Sequence, residues 1–431
     1  MTKDKDFKDL VRARSAQTGE HYTSAREALL HERRDDDAPG RIIGVESRYV
    51  GRAVAESGDA LTPGDVARYL FQRVVTWGRS SNVYLENGAR LYLVAGPAIE
   101  YATPECASIR EVLVHVRAGE ARLGELADAA SRRLREEALG QAIEIEGDPS
   151  AAGGASENYC AARSLTPQAI AQVLVPFLVT RQIFTGSGGV VATPDGERFV
   201  LSPRAYLLSE QGAPALFNAD ARAHADVQRF RRVRVDLGDV NRSDVATFLK
   251  VGTTALVLRL AEERAESVAV AAIGDPVAVL LATTLDTTCR AAIQVQRAIL
   301  TAVARHIEEA GSTEEEQLVV AGWRDVLDRL SDDPASAADL VDWVAGDGPA
   351  PTLPVVSAAE VNAAIHVPPT RTRAHLRGQF IQACTAARRD YTVDWTHLKL
   401  NDQQQRTIVL PDPSMSDDER VDRMLEAVRA G

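Results

Sequence analysis

Two short runs, SNVYLE (81–86) and ARLYLVA (89–95), flank Asn87-Gly88, and this arrangement constrains the fold more than any other feature of the sequence. Asn-Gly between alternating apolar runs is the strongest short-range hairpin signal, because both residues tolerate the positive φ of a tight turn. An antiparallel pair is therefore expected, and with it a sheet. Side chains alternate faces along a strand, so Leu91, Leu93 and Ala95 point one way and Arg90, Tyr92 and Val94 the other. RIIGVESRY (41–49) reads as a further strand, with Ile43 and Val45 on one face and Glu46 and Arg48 side by side on the other. A face meant for packing does not alternate in charge. The pattern alone leaves two readings open, a solvated sheet face or a site.

Thr62-Pro63-Gly64-Asp65 has the cap, first-turn proline and acid of a helix start, and the helix is expected to run to Trp77 and stop at Gly78. Helix is also expected over Ser108–Ala138, from Thr166-Pro167 with a kink at Pro176, and at 243–264 and 291–310. GDPSAAGGAS (147–156) reads as a loop. TGSGGVV (185–191) reads as a turn between strands; a phosphate cradle would need a helix directly after it. Residues 1–40 read as a polar extension outside the core, with a short helix from Ser24 through Leu30. A large domain is expected over 41–345, a Pro/Gly-rich linker over 346–354 and a small C-terminal domain over 355–431. Strands and helices do not alternate steadily, which favours α+β around a largely antiparallel sheet over a doubly wound fold.

Composition narrows the function. The 431 residues carry a formal net charge of −12 and no dominant basic stripe, which argues against nucleic acid. No apolar run reaches the about 18 residues of a membrane span, and MTKDKDFKDL is not a secretory leader. The cysteines, Cys106, Cys160, Cys289 and Cys384, lack C-x-x-C spacing, which argues against zinc or a disulfide framework and for the cytoplasm.

From residue 41 onward the chain contains, in order, GVESRY, DVARYLFQRVVTWGRSSNVYLENGARLYL, EYATPEC, PFLVTRQI, LKVGT, PPTRTRAHLRGQFI and YTVDWTHLKLNDQQQRT. In these blocks it resembles the Pup ligase and depupylase family, and the last block is closer to the ligase. The resemblance implies a glutamine synthetase-like, carboxylate–amine ligase fold, in which a curved antiparallel sheet holds ATP and magnesium beside a small C-terminal domain. It implies Pup, a small acidic disordered protein tag, and pupylated proteins as partners. By the same resemblance Glu46, Tyr92 and Glu100 match metal ligands, oxygen donors of the kind magnesium prefers. Arg90, Thr103, Trp395 and Arg204 match nucleotide contacts, and His224, Asp226, Asp239 and Asn241 are retained.

The departures fall on one region. Where the family has an aspartate acting as base or nucleophile, this chain has Val94, which offers no lone pair, proton or charge. The family's Glu-x-Glu is Glu46-Ser47-Arg48, and Arg48 is expected to pair with Glu46 and take the place of a magnesium ion. The family's His-Pro is Ala98-Ile99, and its His-Glu-Asn is Ser156-Glu157-Asn158. An arginine-rich stretch appears as GAPALFNADARAHAD (212–226), with fewer arginines for phosphates. These changes weigh against both ATP and magnesium. Ligation is uphill and needs ATP, whereas hydrolysis of an isopeptide bond needs water, a held carbonyl and a stabilised oxyanion.

The leading expectation is thus a Pup-binding depupylase-type isopeptide hydrolase, working without ATP, with Glu46 or Glu100 positioning water and Arg48 stabilising the oxyanion. The alternatives are an ATP-dependent Pup–protein ligase and an inactive pseudoenzyme that regulates pupylation. Cys160 is a second nucleophile candidate with His224 as its base, and Ser156 a third; a cysteine beside alanines is more often core. For the acidic tag, TRTRAHLRGQFIQACTAARRD (370–390) offers Arg371, Arg373, Arg377 and Phe380 as a basic and apolar groove, against a plain scaffold helix.

Overall fold

The hairpin forms, but its turn is wider than Asn87-Gly88. In a computed structural model of the protein, β2 (Asn82–Tyr84) pairs antiparallel with β3 (Arg90–Leu93). The Gly88 amide donates to the Leu85 carbonyl at 2.9 Å and the Leu85 amide to the Ala89 carbonyl at 2.8 Å. The turn therefore spans Leu85–Gly88, with Gly88 in the left-handed region at φ 81°. Asn87 contributes through its side chain, which accepts from the Ala89 amide and donates to the Ala364 carbonyl. The structure describes residues 41–431 except 56–60, 72–81, 95–97, 138–140, 148–153, 194, 212–215, 265–272, 347–354 and 431. The extension 1–40 with its helix from Ser24, the helix end at Trp77, Ala95, most of the 147–156 loop and most of the linker lie outside the described residues.

β2 and β3 are one edge of an eight-stranded sheet. Its other strands are β1 (Ile43–Ala55), β4 (Ala98–Ala102), β5 (Gln141–Gly147), β6 (Ala155–Ala162), β9 (Phe217–Ala221) and β10 (Phe230–Gly238). The order is β2-β3-β4-β1-β6-β10-β9, and every pairing is antiparallel. The thirteen-residue β1 is central: its first half lies between β4 and β6, and its second half pairs with β5. A hairpin of β7 (Gly189–Thr193) and β8 (Gly196–Val200) follows the glycine-rich turn.

Period two decides which face is covered. Ile43, Val45, Tyr49, Leu91, Ile99, Tyr101, Tyr159, Val233 and Val235 are buried, each alternating with a polar or half-buried neighbour. Helices cover this face. Ile109–Glu136 starts where the Ser108 hydroxyl accepts from the Glu111 amide at 3.1 Å. Pro167–Thr180, with Pro176 accommodated inside it, and Asp244–Arg264, Arg290–Ala310 and Glu314–Asp332 build the main core around Phe177 and Trp323, whose rings meet edge-on at 5.6 Å. Glu157 faces inward too: it is fully buried and paired with the equally buried Arg181. A buried ion pair is tolerated when its remaining valences are satisfied, and here the Tyr159 hydroxyl donates to the same carboxylate at 2.6 Å.

The C-terminal segment has an apolar cluster of its own. Helices Arg373–Ala386 and Glu419–Ala430 enclose Phe380, Leu398, Leu400 and Val421 with the three-stranded sheet β11 (Tyr391–Val393), β12 (His397–Leu400) and β13 (Thr407–Val409). Residues 41–431 nonetheless form one compact unit. The class is α+β around an open antiparallel sheet. Among the described residues no single helix is long and apolar enough to cross a membrane.

Candidate functional site

The face of the sheet not covered by the main helices carries the chemistry. Alternation places Glu46 and Arg48 there from β1, Ser156, Asn158 and Cys160 from β6, and Arg232, Arg234 and Asp236 from β10; all are half-buried. Cross-strand register adds Glu100 of β4, directly opposite both Arg48 and Tyr92.

Arg48 pairs with Glu100, not with Glu46 as its spacing suggested. Its NH2 and Nε donate to Glu100 Oε2 at 2.9 and 3.3 Å. The reason is geometric. Residues directly opposite on antiparallel strands lie about 4.5–5.5 Å apart at Cβ, whereas i and i+2 on one strand are about 6.8 Å apart along the rise. The other Glu100 oxygen accepts from the Tyr92 hydroxyl. Glu46 is held from the opposite side of β1: Arg232 NH2 at 2.8 Å and Asn158 Nδ2 at 3.2 Å donate to Oε1, and Arg234 NH1 lies 3.3 Å from Oε2. Asp236 accepts from Arg234 Nε and from the Ser156 hydroxyl, both at 2.7 Å. The Ser156 hydroxyl is thus held by a carboxylate whose same oxygen is already paired with Arg234.

Charges in this cluster nearly cancel: the guanidiniums of Arg48, Arg232 and Arg234 face the carboxylates of Glu46, Glu100 and Asp236. Burial raises the Glu100 carboxyl above its ordinary value, Glu46 adds to the rise, and Arg48 opposes both. Val94 follows β3, its amide donating to the Ala98 carbonyl at 3.1 Å, and it brings no functional group.

The magnesium that the resemblance implies does not fit these residues. Magnesium demands near-octahedral oxygen ligands at about 2.0–2.1 Å. Here both oxygens of Glu100 and both of Glu46 already meet donors of the same chain, and three of those donors are cations. Among the described residues no group of three or more His, Cys, Asp or Glu side chains is placed to hold a metal.

Beside the charged cluster is a cavity of about 100 Å³, lined by Thr103, Cys160, His224, Phe230, Arg232 and Trp395 among others. Three of the candidate nucleotide contacts are placed as follows. Trp395 stands edge-on to Tyr84 at 5.3 Å. Thr103 Oγ1 accepts from the Val45 amide at 3.0 Å, so this hydroxyl also ties the chain after β4 to β1. Arg90 lies over the Tyr92 ring at 4.0 Å and donates to Asn82, so it stays on the sheet edge. Burial, with Arg232, Arg222 and Arg373 nearby, lowers His224 to about 4, so it is neutral near pH 7. Burial pushes the Cys160 thiol up to about 11. A nucleophilic cysteine needs a thiolate, so the structure argues against Cys160 in that role.

Two groups of expected residues lie elsewhere. Asp239 and Asn241 belong to a buried network: Lys250 Nζ donates to the Asp239 carbonyl and to Asn241 Oδ1, both at 2.7 Å, and Asn241 Nδ2 donates to Asp342 at 2.9 Å. Arg204 adjoins it, its amide donating to Asp239 at 3.1 Å and its Nε to the Asp236 carbonyl at 3.2 Å. The proposed Pup groove does not exist as read. Arg373, Arg377 and Phe380 are 2%, 1% and 0% exposed, and only Arg371 of the four is at the surface. Arg373 and Arg377 converge on the buried Glu105, and Arg377 also donates to the Gly88 carbonyl at 2.9 and 3.1 Å. They fasten the C-terminal segment to the hairpin edge.

Sequence reasoning missed Arg232, Arg234, Asp236 and Glu105. The first three were detectable, since FRRVRVDLG alternates charged and apolar residues through Arg232-Val233-Arg234-Val235-Asp236-Leu237.

Sheet, paired charges and adjoining cavity define a class: an α+β protein with a polar site on the open face of an antiparallel sheet, as in the carboxylate–amine ligase architecture. A family model described as Pup-ligase protein matches residues 41–347 and 351–399, and the chain belongs to that family. It is 37% identical to a Pup–protein ligase of Acidimicrobium ferrooxidans and to one of Kineococcus radiotolerans, in each case over 90% of this chain and 99% of the relative. A solved complex of Pup with its ligase PafA superposes with a TM-score of 0.85 at 25% identity, covering 92% of this chain and 93% of that one. A structure of PafA in complex with ADP gives a TM-score of 0.76 at 24% identity, over 88% of this chain and 97% of that one, which speaks for the fold.

Proposed function

We propose that this chain binds Pup and serves its attachment to proteins, on the ligase side of the family. The observation that carries this is likeness over nearly full length to Pup–protein ligases, joined to the superposition on a Pup–ligase complex. It moves ligation ahead of isopeptide hydrolysis, which the sequence had put first because of the lost ATP-site residues. The depupylase reading keeps only the argument that a damaged nucleotide site harms hydrolysis less.

Site geometry favours a second reading within the same proposal. Ligation through a phosphorylated carboxylate needs ATP and a base, and the base position is Val94 while the acids are held by Arg48, Arg232 and Arg234. On this reading the chain binds Pup without turning it over and tunes an active ligase. One experiment separates the readings. Labelled Pup is titrated with the protein by fluorescence anisotropy, then incubated with ATP, magnesium and a lysine-bearing acceptor. Binding with conjugate formation supports the ligase, and binding without conjugate supports the regulator. Release of Pup from a preformed conjugate would restore the hydrolase, and absence of binding would sink the proposal.

A further inference from the structure

We infer that the Arg48 guanidinium is a resident cation standing in for a divalent metal at this sheet face, so that the chain excludes metal from the Glu46–Glu100 pair. The inference takes Glu46, Tyr92 and Glu100 as the residues corresponding to the family's metal ligands, and it does not depend on Pup binding.

Four observations point the same way. Register puts Arg48 directly across from Glu100, so the backbone fixes where the cation sits. Arg48 makes two hydrogen bonds to one Glu100 oxygen while the Tyr92 hydroxyl takes the other, which leaves no open carboxylate edge between the strands. Side-chain exposure is 22% for Arg48 and 6% for Glu100, so the pair is shielded from the water that would help a metal ion displace it. On the far side of β1, Arg232 and Arg234 hold Glu46, so neither acid is available without breaking an ion pair. A divalent ion entering here would meet three fixed positive charges and carboxylates they already neutralise.

The test uses the full chain and Mn²⁺ as the probe, read by electron paramagnetic resonance, with a Glu46→Gln/Glu100→Gln variant defining binding elsewhere on the protein. Wild type should bind no more Mn²⁺ than that variant. Arg48→Glu should gain a site at least about tenfold tighter than any in wild type, and Mn²⁺ should raise its melting temperature, since a ligand of the native state stabilises it. If Arg48→Glu does not fold, Arg48→Gln, which removes the charge with little loss of volume, takes its place with the same expectation. Wild-type Mn²⁺ binding that disappears in the Glu46→Gln/Glu100→Gln variant would overturn the inference. Failure of folded Arg48 variants to gain metal would overturn it as well, because Arg48 would then not be what excludes it.

Discussion

Replacing Arg48 by methionine isolates the cost of leaving Glu100 without its cation. Methionine keeps most of the stem's apolar contact, so the change is chiefly electrostatic. Glu100 is 4% exposed, and burial, with Glu46 adding to it, keeps its pKa above the ordinary 4.5 even against the pull of Arg48. An unpaired buried carboxylate has an alternative to remaining charged, which is to take a proton. At pH 7 that costs about 1.36 kcal/mol for each of the 2.5 units between 7 and 4.5, or about 3.4 kcal/mol, and this caps the electrostatic loss. The cap falls to about 1.4 kcal/mol at pH 5.5. The sign follows from linkage: a carboxyl whose folded pKa is raised contributes stability below its unfolded value that is lost as pH rises towards the folded one. Tyr92 still donates to Glu100 and Arg234 remains nearby, so we expect about 2–3 kcal/mol at pH 7 and about half of it at pH 5.5. Urea denaturation of both proteins at both pH values, followed by circular dichroism, gives the difference. Adding Glu100→Gln to Arg48→Met should recover most of the loss. A penalty independent of pH, or one that Glu100→Gln does not relieve, would refute the argument.

Three further outcomes are expected. Arg377→Met leaves the buried Glu105 and the Gly88 carbonyl short of donors and should cost about 3–5 kcal/mol. Burial would raise Glu105, but Arg377 and Arg373 outweigh it and hold it at about 2, so wild type should lose this contribution as pH falls from 4.5 towards 2, and acid titration of the variant should show a flatter limb. Gly88→Ala forces an L-residue to φ 81° with its Cβ 3.0 Å from the Ala374 carbonyl oxygen, and should lower stability by more than the about 1–2 kcal/mol of the left-handed conformation alone. Cys160 should react with iodoacetamide far more slowly at pH 7.5 than a free thiol, because burial pushes it up to about 11; rapid alkylation mapped to Cys160 would return it to the list of nucleophiles.

Much of the frame was legible from local patterns. Alternation along 41–49 correctly divided Ile43 and Val45 from Glu46 and Arg48, and along 90–92 it divided the buried Leu91 from Arg90 and Tyr92, because period two is a property of the backbone. Helix limits came close on two long helices: Asp244–Arg264, where Ser243 caps the Ala246 amide, and Arg290–Ala310, which has no side-chain N-cap, match expected spans to within a residue. Partners were not legible. Spacing on one strand suggested Arg48 with Glu46, but register, fixed by contacts across the sheet, gave Arg48 to Glu100. The basic helix at 370–390 looked like an exposed groove because an arginine facing solvent and one facing a buried acid 268 or 272 residues away read the same in a local window. Arg232 and Arg234 were overlooked because their strand lies far along the chain from the acid they hold.

That distance orders events during synthesis. Glu46 must wait for Arg232, 186 residues downstream, which at about 5–20 residues per second is roughly 9–40 s of translation. Until then the acid side of the central strand exists without its counter-charge and stays hydrated. Glu105 waits longer, because Arg377 follows it by 272 residues. Arg48 is in place before Glu100 is made, but Glu46 and Glu105 meet their arginines only after much more of the chain has followed. A nascent chain halted before that point would present Glu105 to water, and with it an unfinished edge for chaperones to hold.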